Sequence, residues 1–97
     1  MFTVIETPTF QRQVADVWTE ADRLDFIAHI AANPEVGVVI PGADGARKIR
    51  WTVAGKGKRG GARVIYFNLS GDEVVLLVAI YTKAERDNIP PKEIKRK

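Results

Sequence analysis

The chain has 97 residues, a formal net charge of +3, a single histidine and no cysteine. This length supports one domain, residues 1–97, with one modest hydrophobic core. Without cysteine the chain can form neither disulfides nor thiolate metal sites. One histidine also excludes a histidine pair, so we expect no metal and no cofactor. The longest apolar run, residues 74–80, is too short to cross a bilayer, which predicts a cytoplasmic protein without membrane contact.

The first predicted elements are a short strand and a helix. Residues 1–6 alternate in the manner of a strand. Thr7 and Pro8 then supply an N-cap followed by proline at the first helical position. Apolar side chains recur at helical spacing after this start, which predicts one buried stripe along the first helix. The stripe comprises Phe10, Val14, Val17 and Trp18.

A second helix is predicted to begin at Thr19, with Asp22 three residues later as a capping partner. Asn33 and Pro34 should end it. Its predicted buried face consists of Leu24, Ile27, Ala28 and Ala31. Two helices joined by so short a connection form an antiparallel hairpin. Its apolar stripes must be buried against another layer, and a sheet is expected to cover them.

The second half of the chain is predicted to supply that sheet. Residues 38–46 contain Pro41, Gly42 and Gly45 and are expected to form a crossing loop. Strands are predicted over residues 48–53, 62–69 and 74–82, and a short helix over residues 87–97. The order β-α-α-β-β-β-α predicts an α+β fold, a small antiparallel sheet with the N-terminal helical hairpin on one face.

Positive charge is concentrated in one segment of the chain. Residues 1–46 contain seven acidic and two basic residues, whereas residues 47–97 contain thirteen basic and five acidic residues. Such segregation is typical of a surface that binds a polyanion. Within residues 47–63 there are seven basic residues and no acidic residue: Arg47, Lys48, Arg50, Lys56, Lys58, Arg59 and Arg63.

Strand alternation places Lys48 and Arg50 on the same face, about two 3.3 Å rises apart, which matches the scale of neighbouring phosphates. Arg63 follows the glycine-rich loop of residues 55–61, and Lys83 and Arg86 follow the last predicted strand. A cluster of cations can stabilise a pentacovalent phosphate electrostatically. The alternative is an ordinary solvated face, which the absence of acidic residues disfavours.

The loop and the aromatic residues have two interpretations each. The loop glycines could admit phosphate to the backbone, with Lys56, Lys58 and Arg59 around it, or could simply form a flexible hairpin connection. Trp51 is expected in the core rather than against a base. Tyr66 and Tyr81 are ambiguous, since each could be a half-buried strand residue, and Tyr81 could instead stack on a base.

The motifs in their order resemble those of the RelE/HigB superfamily of toxin–antitoxin toxins, and especially its HigB2-like branch. The resemblance is carried by RKIRW at residues 47–51, GKGKRGGARVIY at residues 55–66 and YTKAE at residues 81–85, with IETPTF and ANPEVGVVIPG before them. It therefore covers nearly the whole chain.

This resemblance implies a ribosome-dependent endoribonuclease that cuts mRNA in the decoding site and is neutralised by a cognate antitoxin. Any DNA contact would be made through the antitoxin complex. Mapped by motif, the catalytic positions are Lys48, Arg50, Arg63 and Lys83, while Arg47, Lys56, Lys58, Arg59 and Arg86 would bind RNA. Where some members have a tyrosine or histidine for proton transfer, residues 86–89 read RDNI, so the general base is unassigned.

Two other functions fit the same charges. The basic segment could track phosphates in a nucleic-acid-binding module without catalysis. It could also receive an acidic segment of a protein partner. A nuclease would lose cleavage but keep most of its binding when Arg63 is removed, whereas a protein-binding surface would not be competed by RNA.

Overall fold

The computed structural model describes residues 2–51, 61–82 and 94. Two helices and a five-stranded sheet form an α+β fold, as the sequence predicts. The helices are α1 (Pro8–Val14) and α2 (Glu20–Ala32); the strands are β1 (Thr3–Glu6), β2 (Val38–Val39), β3 (Arg47–Trp51), β4 (Ala62–Leu69) and β5 (Val74–Thr82). Neither helix is long and apolar enough to cross a membrane.

Both helices begin at the caps that the sequence predicts. The side-chain oxygen of Thr7 accepts a hydrogen bond from the Phe10 N–H, with Pro8 at the start of α1. The side-chain oxygen of Thr19 accepts a 3.2 Å hydrogen bond from the Asp22 N–H at the start of α2. Each cap satisfies a backbone donor that has no partner within the helix.

The buried face of α2 differs from the predicted one. Phe26, Ile30 and Ala31 are buried, whereas Leu24 is 52% exposed and Ala28 is exposed. The reason is an aromatic contact that periodicity does not reveal: the Phe26 ring lies 5.2 Å from the Trp18 ring and 5.4 Å from the Trp51 ring. Anchoring Phe26 in this way turns Leu24 outward.

The sheet is mixed rather than wholly antiparallel, so the strand-direction prediction was wrong in part. The strand order is β1-β5-β4-β3-β2, with β1 parallel to β5 and the other pairs antiparallel. The chain leaves β1 through both helices and enters the sheet again at its far edge. Four consecutive antiparallel strands then bring β5 back beside β1.

Two further boundaries differ from the prediction. The segment expected to be a crossing loop contains the edge strand β2, which pairs with β3. The predicted strand over residues 48–53 begins one residue earlier, at Arg47, and is described to Trp51. The predicted helix over residues 87–97 lies outside the described residues, apart from Ile94.

Apolar side chains fill both faces of the sheet. The larger group, here called the helix-side core, joins α1 and α2 to the inner face and includes Phe10, Phe26, Val64 and Tyr66. The smaller group, here called the second cluster, covers the opposite face. It contains Ala43, Ala46, Ile65, Phe67, Val78 and Tyr81.

The end of β5 is held by α1 where β1 no longer covers it. The Thr7 hydroxyl donates a 2.9 Å hydrogen bond to the Leu77 carbonyl, and the Thr7 N–H donates to the same oxygen. Further along β5, the Ile80 N–H donates a 3.0 Å hydrogen bond to the side-chain oxygen of Gln13 on α1. These bonds satisfy edge groups of β5.

Candidate nucleic-acid interface

Lys48 and Arg50 lie on the sheet face opposite the helices. Ile49, between them, packs in the helix-side core, and side chains alternate along a strand. Lys48 is half-buried and lies in register with Ile65 of the second cluster, while Arg50 is exposed. The structure therefore brings these two predicted site residues to one face.

Arg63 lies directly between two other predicted or ambiguous residues on that same face. The register pairs Arg63 of β4 with Arg50 of β3 on one side and with Tyr81 of β5 on the other. Opposed residues in neighbouring antiparallel strands have Cβ atoms about 4.5–5.5 Å apart. Arg50, Arg63 and Tyr81 consequently form one row across three strands, which we call the arginine row.

Arg63 is unusual for a charged residue because it is buried. The residue is 8% exposed, and its Nη1 is buried with no hydrogen-bond partner among the described residues. Neither Arg63 nor Arg50 forms an ion pair with an acidic residue in the described part of the chain. A buried charge without a partner is costly.

The opposition of two arginines adds to that cost. Like charges directly opposite each other on one sheet face destabilise the strand pair. An anion placed at the arginine row would reduce the repulsion and accept hydrogen bonds from the guanidinium groups. Guanidinium groups bind phosphate oxygens with two parallel hydrogen bonds, so phosphate is the anion best matched to the row.

Arg47 has a different environment from Arg50. Its guanidinium Nη1 donates to the carbonyl oxygens of Gly37 at 2.7 Å and Glu35 at 3.2 Å. Its partner in register is Tyr66, a residue of the helix-side core. These contacts give Arg47 a structural role, and its predicted contact with RNA stays a prediction.

Tyr66 fixes the same loop from inside the core. The buried Tyr66 hydroxyl accepts a hydrogen bond from the Gly37 N–H and donates one to the Pro34 carbonyl. Burial raises the pKa of the Tyr66 phenol above its usual range, and the Gly37 hydrogen bond and Arg47 oppose that rise. Tyr66, which the sequence left ambiguous, is therefore a core residue.

Acidic groups are found at the other side of the molecule. Arg23 of α2 donates to both carboxylate oxygens of Glu6 at 2.8 Å and to Glu20 at 2.7 Å. Hydrogen bonding to Arg23 lowers the pKa of the Glu20 carboxyl, and the two carboxylates raise the pKa of Arg23. The acids in this group are thus engaged away from the arginine row.

Several predicted site residues cannot be placed. The predicted catalytic residue Lys83 and the predicted RNA-binding residues Lys56, Lys58, Arg59 and Arg86 lie outside the described residues. Within residues 2–51 and 61–82, no group of three or more histidine and acidic side chains is arranged to hold a metal ion. The described site therefore consists of Lys48, Arg50 and Arg63, with Tyr81 beside them.

The membership of Tyr81 in the row was not predicted from the sequence. Simple alternation along β5 puts Tyr81 on the same face as Val75 and Leu77, both of which belong to the helix-side core. A register shift opposite Ile65 and Tyr66 reverses the alternation before Tyr81 is reached. The sequence carries no glycine or proline there that would signal this irregularity.

The chain is similar in fold to solved toxin structures, although no protein-family model matches its sequence. A mutant of the E. coli toxin RelE in the free state has a TM-score of 0.61 at 12% identity, over 89% of this chain and 87% of that one. A chain of the intact E. coli RelBE toxin–antitoxin complex has a TM-score of 0.59 at 12% identity, over 82% of this chain and 94% of that one.

A third similar structure is a metal-bound toxin from Helicobacter pylori. Its TM-score is 0.52 at 11% identity, covering 89% of this chain and 99% of that chain. The chain thus has the RelE toxin fold, which confirms the resemblance at the level of the fold. The assignment to the HigB2-like branch stays a prediction.

Proposed function

We propose that this chain is the toxin of a toxin–antitoxin pair and an endoribonuclease that cleaves mRNA on the ribosome. The observation that carries the proposal is the buried Arg63, whose Nη1 has no hydrogen-bond partner among the described residues and which lies beside Arg50 on the sheet face opposite the helices. The RelE toxin fold supports the same conclusion, because one of the similar structures is a toxin–antitoxin complex.

The proposed reaction uses the nucleophile that RNA itself carries. The 2′-oxygen attacks the adjacent phosphorus and loses its proton to a base, while the bond from phosphorus to the 5′-oxygen breaks. The leaving 5′-oxygen takes up a proton, which gives a 2′,3′-cyclic phosphate and a 5′-hydroxyl end. Negative charge grows on the phosphate oxygens during this step, so fixed cations accelerate it.

Each placed residue has a defined part in this proposal. Arg63 contacts the phosphate that is cut, because its Nη1 has no hydrogen-bond partner among the described residues and is available to an anion. Lys48 and Arg50 orient the backbone on either side of that phosphate. Lys83, placed by sequence motif only, assists the leaving oxygen. The base is not assigned, and the proposed chemistry requires no metal ion.

The proposed partners are mRNA on the ribosome and a cognate antitoxin. A chain with a single histidine and no cysteine gains most from a substrate that is held in place, and the ribosome can hold it. The antitoxin would cover the basic face with carboxylates directed at Lys48, Arg50 and Lys83. Action on translating ribosomes implies a cytoplasmic location.

The test is single-turnover cleavage of mRNA on programmed ribosomes with purified protein. We expect Arg63→Ala to raise the barrier by about 2–4 kcal/mol, the effect of losing one preorganised stabilising donor. Arg12→Ala is the matched control, because Arg12 is an exposed arginine of α1 whose side chain, among the described residues, bonds Thr9 alone. Lys56→Ala and Lys58→Ala should instead weaken binding in a salt-dependent manner.

Three results would contradict the proposal. Rapid cleavage of free RNA that requires an added metal ion would show a different chemistry. Normal cleavage by Arg63→Ala, with chemistry lost in a loop-lysine variant, would show that the roles are reversed. Salt-sensitive RNA binding with no cleavage on ribosomes would favour a nucleic-acid-binding module.

A further inference from the structure

A β-bulge in β5 decides which face of the sheet receives Tyr81. Ile65 pairs with Ala79 and Tyr66 pairs with Leu77, so Val78 is an additional residue on β5. Both Val78 and Ala79 belong to the second cluster, on the same face. The alternation of β5 is therefore reversed beyond this point.

The reversal puts Ile80 on the helix side of the sheet and Tyr81 on the opposite side. Val75 and Leu77 before the bulge, and Ile80 after it, pack in the helix-side core, whereas Tyr81 packs in the second cluster. Without the bulge, Ile80 would stand beside Arg63 and Tyr81 would point toward the helices. Bulges occur often next to active sites, where they redirect one side chain.

We propose that Tyr81 is a positioning residue that holds the Arg63 guanidinium in the orientation that binds phosphate. This inference rests on the proposed function, since it assigns a residue that supports the same site. Tyr81 is the direct cross-strand neighbour of Arg63 and is 3% exposed. The register places Tyr81 on the side of Arg63 that faces away from Arg50, where its ring would act as a rigid wall.

An arginine at this place needs such a wall. An unrestrained arginine side chain has many rotamers. A guanidinium that must stabilise charge on a reacting phosphate is effective only when it is already held in the correct orientation. Repulsion from Arg50 pushes the guanidinium away from β3. Tyr81 limits that movement on the β5 side, so the two neighbours together define one position.

The Tyr81 ring is itself held in place by its packing and by its backbone. Phe67, Ala43 and Ala46 pack with Tyr81 in the second cluster. The residue before Tyr81 is fixed by the hydrogen bond from the Ile80 N–H to the Gln13 side chain. Tyr81 therefore has little freedom to shift when the row binds an anion.

The first arm of the test measures sulfate binding to the purified chain, with the Arg63 side-chain Nε–H followed by NMR. Tyr81→Phe keeps the ring and should bind sulfate within about threefold of the unmodified chain, because the wall remains. Tyr81→Leu removes the wall and should weaken Arg63-dependent binding about ten- to a hundredfold, the scale of a displacement near 1 Å. Ile80→Val, on the other face of β5, is the control.

The second arm measures single-turnover cleavage on ribosomes. Tyr81→Leu should lower the maximal rate constant while the half-saturating protein concentration stays unchanged, and Tyr81→Phe should restore the rate. Loss of folded protein would instead reduce the amplitude and broaden the melting curve. If Tyr81→Leu melts cooperatively, binds sulfate normally and cleaves normally, Tyr81 is a core residue only.

A third measurement decides the case if Tyr81→Leu does not fold. In the unmodified chain with sulfate, the Arg63 Nε–H should be rigid by nitrogen relaxation, and that of exposed Arg12 should be mobile. Equal mobility of the two overturns the inference. If the unmodified chain never cleaves RNA but Tyr81→Leu still loses sulfate binding, the proposed function fails and the positioning role stands.

Discussion

The N–H of Gly37 donates a 2.8 Å hydrogen bond to the hydroxyl of Tyr66, a residue 29 positions away in the chain. The hydroxyl in turn donates a 3.0 Å bond to the Pro34 carbonyl. The loop after α2 is thus fastened to β4 from within the core. Because Arg47 also bonds the Gly37 carbonyl, the same loop fixes the strand that carries Lys48 and Arg50.

Gly37→Ala is predicted to be strongly destabilising. A Cβ at this position would lie 2.6 Å from the Tyr66 hydroxyl oxygen, and Tyr66 is fully buried and cannot move aside. We expect the free energy of unfolding to decrease by about 1–3 kcal/mol, measured by urea denaturation. Gly71→Ala is the matched control, because nothing lies within 4 Å of the added methyl group, and it should be almost neutral.

Tyr66→Phe is predicted to decrease the free energy of unfolding at neutral pH and to decrease it by a smaller amount at alkaline pH. Removal of the hydroxyl leaves the buried Gly37 N–H without its acceptor, at a cost of about 1–3 kcal/mol. Burial raises the pKa of Tyr66 in the folded chain. Its contribution is therefore complete below the unfolded pKa of about 10 and is lost as pH rises through the folded value.

Urea denaturation of both proteins between pH 7 and pH 11 measures this difference. The gap between the unmodified chain and Tyr66→Phe should narrow above about pH 10. Tyr81 is present in both proteins, so its own titration does not enter the comparison. A gap that stays constant across this range would show that the Tyr66 phenol does not resist ionisation.

Arg63→Met is predicted to stabilise the chain while slowing RNA cleavage as Arg63→Ala does. Methionine has a similar length, and it removes a buried guanidinium whose Nη1 has no partner among the described residues. At low ionic strength we expect the free energy of unfolding to increase by about 1 kcal/mol or more. A decrease of that size would instead show that Arg63 is needed for packing and has no unfavourable charge.

Charge reversal on the basic face is predicted to weaken the antitoxin complex. Lys48→Glu with Arg50→Glu places two carboxylates where the antitoxin is expected to present its own, on the face opposite the helices. Calorimetry with the cognate antitoxin should show a lower affinity and a smaller salt dependence. Arg12→Glu, on α1, is the control for net charge. If the affinity and salt dependence are unchanged, the antitoxin binds elsewhere and blocks access to the ribosome.

Local signals in the sequence predicted most of the fold. The caps at Thr7 and Thr19 and the bounds of β4 and β5 agree with the structure, because each depends on residues close together in the chain. The parallel pairing of β1 with β5 was missed because it joins residues far apart. The exposed position of Leu24 was missed because aromatic packing between α2 and β3 determines it.

The site was predicted in its charges but not in its geometry. Alternation alone put Lys48 and Arg50 on one face, and the structure agrees. The register that places Arg63 between Arg50 and Tyr81 depends on a bulge that the sequence does not signal. By charge alone Arg47 is equivalent to Lys48 and Arg50. In the structure, however, its guanidinium donates hydrogen bonds to the backbone carbonyls of Glu35 and Gly37.

The strands β1 and β5 lie side by side although they are far apart in the chain, and this determines when the sheet can form during protein synthesis. The hydroxyl of Thr7 bonds a carbonyl 70 positions later, and Thr3 pairs with Val74. Pairings so distant in sequence form slowly, and none of them can form until β5 has left the ribosome that makes it. The Arg63 site also requires β5, since Tyr81 of β5 is the cross-strand neighbour of Arg63. A nascent chain would therefore lack a finished Arg63 site until β5 has emerged and paired with β4.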